Sequence, residues 1–202
     1  MNPEERKKII LDVSEQLFYK KGYDNTSTQE IIKKSKIARG TLYYYFPKKE
    51  DILDAVIKRS AEEVFTNAKK IAYDKTLPAD KRLVSTLIAM SEDSKKNSLE
   101  LEQVHSPQNA LMHQKINDYI LKNAGPFLTD IVKDGIEDKI FNTKYPDECV
   151  EMILIYANEG FDYLNHENDK EKMMRKFQAF FYNAHRLLGA KENSLDFIRI
   201  LK

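Results

Sequence analysis

Apolar residues recur every three or four positions over most of the chain, a spacing that places them on one face of an α-helix. The first such stretch covers residues 3–21 and is followed by Gly22, a residue type that often terminates helices. The pattern therefore predicts a long first helix that packs through one face. Its apolar positions are Ile9, Ile10, Val13, Leu17 and Phe18.

Two short helices are predicted next. Ser27 and Glu30 have the spacing of a capping box, in which each side chain bonds to the other residue's backbone, so a second helix should begin there and end near Ser35. After a brief turn, a third helix should hold residues 39–46. Two short helices joined by a tight turn form a helix-turn-helix.

The third helix ends in four consecutive aromatic residues, within the stretch GTLYYYFPKKEDIL at residues 40–53. Successive helical residues point about 100° apart, so the four rings cannot all face one core. Leu42, Tyr45 and Phe46 share a face and are expected to pack against the first two helices.

Tyr43 and Tyr44 are then expected to point toward solvent. Arg39 and Gly40 each lie one helical turn before one of these tyrosines, so the outward face carries a cation, two phenols and a gap where backbone can approach. Such a face is suited to the major groove of DNA. The alternative is that the two tyrosines pack on neighbouring side chains.

A long fourth helix is predicted after Pro47, because proline suits the first turn of a helix. Its apolar rhythm continues to about Tyr73. We expect a helix-turn-helix domain at residues 1–47 and a larger helical domain at residues 48–202.

Further helices are predicted over residues 108–124 and 126–140, separated at Gly125-Pro126, and two long ones over residues 147–165 and 169–189. The expected fold is all-α.

Composition agrees with a helical globular protein. Of the 202 residues, 42% are hydrophobic and 32% charged, with only 6 Gly and 6 Pro. Residues 1–50 carry 11 Lys or Arg against 7 Asp or Glu, whereas the remainder of the chain is slightly acidic. An excess of basic residues is expected in a domain that contacts phosphates. No apolar run approaches a membrane span, so we expect a cytoplasmic protein without a membrane partner.

No pattern points to catalysis. The sequence lacks a Gly-rich phosphate loop, a G-x-S-x-G motif and a Cys/His cluster, so we expect no enzyme activity and no cofactor. Cys149 is interpreted as a structural residue of a helix and not as a nucleophile. His105 and His113 have no ligand partners at a metal spacing, so no metal site is predicted.

Residues 26–53, TSTQEIIKKSKIARGTLYYYFPKKEDIL, resemble the DNA-binding signature of the TetR family of transcriptional regulators. The resemblance combines the polar pair that opens helix two, the Gly-Thr-Leu-Tyr start of the recognition helix, the Tyr-Phe that ends it, and Lys-Glu ahead of Leu53. It departs from the family at Lys36, which stands at the usual turn glycine, and at Ala38 and Lys48, which stand at usual capping positions.

This resemblance implies DNA contacts from both short helices. Tyr43 and Lys49 would bind phosphates, Thr28 and Gln29 would assist, and Arg39 and Tyr44 would reach base edges. The implied DNA-binding set is Thr28, Gln29, Arg39, Gly40, Thr41, Tyr43, Tyr44 and Lys49.

The resemblance also implies a homodimer that forms through the last two long helices in a four-helix interface. The alternative is that their apolar stripes form only the core of one chain. The expected interface residues are Val150, Ile153, Ala157, Phe161, Phe177, Phe180, Phe181, Ala184 and Leu188.

A small-molecule site is expected where the interruption at Gly125-Pro126 frees backbone groups and where Glu159 lies among aromatic residues. The glutamate could equally pair with an arginine. Candidate pocket residues are Met112, Tyr119, Asn123, Tyr156, Glu159 and Tyr163.

The function expected from the sequence is a ligand-responsive repressor that binds a near-palindromic operator as a dimer and is released by a small molecule. Two alternatives are a small helical hydrolase or transferase and a helix-turn-helix nucleoid or division factor without an inducer. A closed, packed interior would favour the last of these.

Overall fold

A computed structural model describes residues 2–95, 109–165 and 170–190. Within these ranges, it does not describe the side chains of residues 63, 91–95, 158–165 and 170. These ranges form an all-α fold of helices and connecting turns. The helices are α1 (Pro3–Lys21), α2 (Thr28–Ser35), α3 (Arg39–Tyr45), α4 (Lys49–Ala72), α5 (Ala79–Lys95), α6 (Ala110–Glu137), α7 (Pro146–Asn165) and α8 (Lys170–Leu187).

The described residues fall into two compact units. The first contains α1, α2, α3, the part of α4 up to Glu63 and the start of α6 up to Tyr119. The second contains α4 from Val64, α5, α6 from Ile120, α7 and α8. The domain boundary after residue 47 stays a prediction, but the start of α6 was not expected in the unit that holds the helix-turn-helix.

The first unit is built around one apolar core. Phe18 of α1, Ile31 of α2, Leu42 of α3 and Leu53 of α4 are all fully buried in it, and Met112 of α6 is 1% exposed. Burial of such side chains contributes about 1.5 to 3 kcal/mol each. The core therefore fixes α3 against α1 and α2.

The starts of α1 and α2 are capped by side chains, whereas α3, which follows Ala38, has no side-chain cap. Asn2 and Glu5 form a full capping box at α1. At α2 only half of the predicted box forms: Ser27 accepts from the Glu30 N–H at 3.2 Å, whereas the Glu30 carboxylate pairs with Lys21. The hydrogen bond from Lys21 holds the pKa of the half-buried Glu30 carboxyl below its ordinary value.

The predicted break at Gly125-Pro126 is wrong, because α6 is one helix of 28 residues with Pro126 inside it. An internal proline costs a helix about 3 kcal/mol. Ala124, Phe127, Leu128 and Ile131 are all buried in the second unit, and this packing on both sides of the proline offsets that cost.

In the second unit, Arg82 is 2% exposed and fixes the end of α4. Its guanidinium donates to the Ala72 carbonyl oxygen at 2.9 Å and to the Asp134 carboxylate at 2.8 Å. No helix among the described residues is long and apolar enough to cross a membrane.

Candidate DNA-binding site

The outward face of α3 carries the two tyrosines predicted to point toward solvent. Leu42 is fully buried and Phe46 is 4% exposed, whereas Tyr43 is 38% and Tyr44 81% exposed. Tyr45 is half-buried against the core. The predicted division of the aromatic run between core and solvent is therefore confirmed.

Tyr43 is held in place by its neighbours on both sides. Its hydroxyl lies 3.2 Å from the Thr28 hydroxyl on α2, and the Arg39 guanidinium carbon lies 5.6 Å from the centre of its ring. Cation–π contacts of this kind favour a fixed orientation of both groups. Thr28, Arg39 and Tyr43 thus form one polar cluster that spans both helices of the helix-turn-helix.

The other predicted residues on this face leave room for a large partner. A Cβ atom placed on Gly40 would meet nothing within 4 Å, so the backbone there is open to approach. Tyr44 touches Tyr45 edge to face, with ring centres 5.1 Å apart, and Gln29 is exposed beside Thr28. Thr41 is half-buried.

Lys49 points toward the turn between α1 and α2. Its ammonium donates to the carbonyl oxygens of Tyr23 and Thr26 at 2.8 and 3.0 Å, and lies 4.0 Å from the centre of the Tyr23 ring. Burial lowers the pKa of Lys49, and the nearby Asp24 carboxylate offsets part of that effect. Two of the three ammonium hydrogens are therefore committed within the chain.

The same turn is held from its other side by Asn109. The Asn109 side-chain oxygen accepts a hydrogen bond from the Tyr23 N–H at 2.7 Å, and Asn109 is fully buried. Sequence reasoning missed this residue. No local pattern could have found a contact between residues 86 positions apart.

Lys115 was missed for the same reason. Its ammonium lies 2.8 Å from the carboxylates of both Glu50 and Asp54, on the first turns of α4. These hydrogen bonds, with Asp54 first, raise the pKa of Lys115, and the bond from Lys115 lowers the pKa of Glu50. The start of α6 is thus bound to the helix that follows the helix-turn-helix.

Two family models match this chain. The model described as bacterial regulatory proteins, tetR family, matches residues 10–56, which include the helix-turn-helix, and the model described as tetracyclin repressor-like, C-terminal domain, matches residues 93–182. The chain belongs to the TetR family. It is accordingly a transcriptional regulator whose helix-turn-helix binds DNA.

Relatives agree with this assignment. The chain is 40% identical over 67 residues to the HTH-type transcriptional regulator YuxN of Bacillus subtilis, a match that covers 33% of this chain and 23% of that protein. It is 26% identical over 192 residues to the HTH-type transcriptional regulator QacR of Staphylococcus aureus, covering 86% of this chain and 95% of QacR.

A solved structure has the same fold. The structure of RolR in complex with resorcinol superposes with a TM-score of 0.68 at 19% identity and covers 96% of this chain and 93% of that one. This likeness extends over both parts of the TetR-family fold.

The predicted dimer-interface residues of this TetR-family chain are mostly buried within it. Such side chains have little surface left to offer a second copy. Phe161 lies outside the described side chains, and Ala157, Phe177 and Phe181 are partly exposed. The buried ones, each at most 6% exposed, are Val150, Ile153, Phe180, Ala184 and Leu188.

Other positions on α7 and α8 expose apolar side chains. Met152, Ile155 and Tyr156 lie at i, i+3 and i+4 on α7 and are each about half exposed. On α8, Met174 is 52% and Tyr182 62% exposed. We call these five residues the exposed apolar face.

Three of the predicted ligand residues, Met112, Tyr119 and Asn123, lie along α6, and Tyr156 lies on α7. Met112 and Tyr119 pack in or against the core of the first unit, whereas Asn123 and Tyr156 belong to the second. Glu159 and Tyr163 lie outside the described side chains. The ligand role of this set stays a prediction.

A small apolar cleft with a volume of about 10 Å³, roughly the room that one water molecule needs, lies elsewhere in the second unit. Phe180, which lines it, stacks on Tyr156 with ring centres 5.6 Å apart. The lining consists of Leu83, Val84, Leu87, Ile153, Phe180, Phe181 and Ala184.

Proposed function

We propose that this protein is a dimeric repressor that binds a near-palindromic operator through α3 and is released by a small molecule. The proposal rests on the outward face of α3. There, the basic side chain of Arg39 and the phenols of Tyr43 and Tyr44 are exposed beside the open backbone at Gly40. In a helix-turn-helix protein, the N-terminal residues of the second helix contact base edges. Arg39 and Gly40 occupy those positions.

The proposed roles follow from chemistry and placement. Arg39 reads a base edge, with guanine favoured because its two acceptors match the guanidinium fork, and Tyr44 lies beside it with most of its ring exposed. Tyr43 donates its hydroxyl hydrogen to a phosphate oxygen, and the Thr28 hydroxyl holds the phenol in place. Gln29 contacts the same strand from the exposed start of α2.

In this proposal, Lys49 chiefly positions the start of α2. Its two bonds to carbonyl oxygens fix the turn before α2, and therefore the placement of Thr28 and Gln29. Its remaining hydrogen is available to a phosphate oxygen. This dual use explains why a lysine that is partly buried can still serve DNA binding.

The dimer is proposed to form through the exposed apolar face. Five large apolar side chains on two adjacent helices form the kind of patch that marks a protein–protein interface. None of these five side chains is among the predicted interface residues, but the helices are the same. A dimer is required because one short recognition helix contacts few bases.

The small molecule is proposed to be largely apolar and to widen the cleft next to Phe180, which has a volume of only about 10 Å³ and is lined by apolar residues. Both α4 and α6 begin in the first unit and end in the second. The cleft is lined by α5, α7 and α8, and Arg82 of α5 bonds to the end of α4 and to Asp134 of α6. A ligand that shifts α5 would therefore act on two helices that also contribute to the core behind α3. Ligand and operator would then bind antagonistically.

Calorimetry tests the switching part of the proposal. Small apolar compounds would be titrated into the protein alone and into the protein saturated with its operator. By reciprocity, a compound that weakens operator binding must itself bind more weakly to the complex by the same factor, typically about 5- to 150-fold. Equal affinities, or no binding by any compound, would favour the alternative of a nucleoid or division factor without an inducer.

A DNA titration tests the DNA-binding part. Wild-type protein and the Arg39→Ala variant would be compared on a duplex selected by the wild type and on a random duplex. The proposal expects the variant to lose preference for the selected duplex while it keeps binding to random DNA. An unchanged preference would contradict the role of α3.

A further inference from the structure

The turn of the helix-turn-helix contains a residue in an unfavourable backbone conformation. Lys36 ends α2 with φ 54° and ψ 41°, which is the left-handed helical region. The turn requires this conformation, because it brings the Ile37 N–H to the Ile32 carbonyl oxygen at 3.3 Å and so closes the helix end.

A lysine at this position has an energetic cost. The left-handed region brings Cβ close to the following carbonyl oxygen for every residue except glycine, and glycine adopts it freely. A glycine would therefore make the same turn at lower free energy. Backbone strain of this kind is a reason to search for a function of the side chain.

The Lys36 side chain is exposed and carries an uncompensated charge. Among the described residues it forms no ion pair, whereas the neighbouring Lys34 lies 4.0 Å from the Glu30 carboxylate. Lys33, one turn earlier on α2, is also exposed. The turn therefore presents positive charge that no carboxylate within the described chain neutralises.

The turn also lies next to the end of α3 that meets DNA. Lys36 precedes Arg39, the first residue of α3, by three positions, so their Cα atoms are at most about 11 Å apart. The major groove is about 12 Å wide and is bordered by phosphates on both sides. With Arg39 in the groove, the flexible side chain of Lys36 can reach a bordering phosphate.

We propose that Lys36 is a further DNA-binding residue, which contacts a backbone phosphate beside the groove that α3 enters. This inference rests on the proposed DNA-binding mode. The lysine makes the turn less stable than a glycine would, but it places a positive charge close to the recognition helix. It is a contact that fixes position and contributes no sequence preference.

Three variants test the proposal. Lys36→Gly removes both the charge and the strain, and Lys36→Arg keeps both. Lys139→Gly is the matched control, because Lys139 is an exposed lysine with φ 57° at the end of α6 in the second unit. Each would be titrated with a selected duplex and a random duplex over a range of salt concentrations, and its urea unfolding measured.

We expect Lys36→Gly to change stability and DNA affinity in opposite directions. The unfolding equilibrium constant should fall roughly fivefold as strain is relieved. Affinity for both duplexes should fall about eightfold per protomer at 0.1 M salt, and the slope of log affinity against log salt should decrease by about 0.9 per protomer. Lys139→Gly should gain stability alone, and Lys36→Arg should keep the wild-type slope.

An unchanged salt slope for a folded Lys36→Gly protein would overturn the proposal, as would an equal loss of DNA affinity in Lys139→Gly. A wild-type protein that binds neither duplex would overturn the proposed DNA-binding mode itself. Lys36→Asn, which is neutral and tolerates the left-handed region, repeats the test with a side chain retained.

Discussion

The hydroxyl groups of Thr28 and Tyr43 lie 3.2 Å apart and join α2 to α3 across the helix-turn-helix. Either oxygen can donate to the other, so the pair can also present one hydrogen to a third group. A phosphate oxygen at this place would accept it. In the proposed complex, the pair would therefore both position the two helices and contact the DNA backbone.

The first prediction concerns this pair. Tyr43→Phe should weaken binding to selected and random duplexes alike by about 1.5 to 3 kcal/mol per protomer, because a hydrogen bond to a charged group is lost. The salt slope should barely change, since a phenol displaces no counterion. Fluorescence anisotropy over a salt series measures both quantities. Wild-type affinity in Tyr43→Phe would rule out the phosphate contact, and Thr28→Val, which leaves the phenol in place, should lose less.

The second prediction concerns base preference. Arg39→Ala should relax selectivity at one position in each half-site and cost about 1 to 3 kcal/mol on the selected duplex. Arg39→Lys is the control that keeps the charge but not the two-pronged fork. Selection of duplexes from a random pool by each variant gives the result. Identical motifs for all three proteins would show that Arg39 reads no base.

Some of these features could be predicted from the sequence, and others could not. The aromatic run at residues 43–46 could be divided into core and solvent from helical geometry alone, because each position has a fixed direction. Asn109 and Lys115 could not be placed, since their contacts with Tyr23, Glu50 and Asp54 depend on packing between distant segments.

The predicted interface stays a prediction, and it depends on a distinction that periodicity cannot make. Apolar stripes on α7 and α8 occur on more than one side, and a stripe looks the same whether it meets the chain's own core or a partner. Phe180, at 5% exposure, proved to face the core, whereas Tyr182, at 62%, does not. Likewise, Pro126 indicated a helix end that packing of the neighbouring residues overrides.

The third prediction concerns dimerisation. Tyr182→Glu should produce monomers, with the dimer dissociation constant raised at least about 100-fold, because the apolar ring is lost from the interface and burying a carboxylate there is costly even beside Arg186. Tyr145→Glu is the matched control, since Tyr145 is 64% exposed but lies ahead of α7. Sedimentation velocity distinguishes the two states. A dimeric Tyr182→Glu protein, or a monomeric Tyr145→Glu protein, would contradict the assigned face.

The fourth prediction concerns pH. Hydrogen bonding to Lys115 lowers the pKa of Glu50 from 4.5, so its contribution to stability is present above pH 4.5 and is lost as pH falls through the lowered value. The raised pKa of Lys115 means that its own contribution is present below pH 10.5 and is lost only at higher pH.

Lys115→Met should therefore destabilise the protein at neutral pH and have a smaller effect at an acidic pH below the lowered pKa of Glu50. Urea unfolding at the two pH values gives the comparison. Lys122→Met, at an exposed lysine further along α6, should show no such pH dependence. An equal effect of Lys115→Met at both pH values would show that the ion pairs do not contribute.

The central claim is that two copies of this chain read DNA together through α3. Selection of bound duplexes from a random pool by wild-type protein tests it most directly. The account predicts a near-palindromic motif whose half-site centres are about 10 to 10.5 base pairs, or a multiple of that, apart, so that both recognition helices meet one side of the DNA. Enrichment of a single unpaired half-site, or of no motif at all, would contradict it.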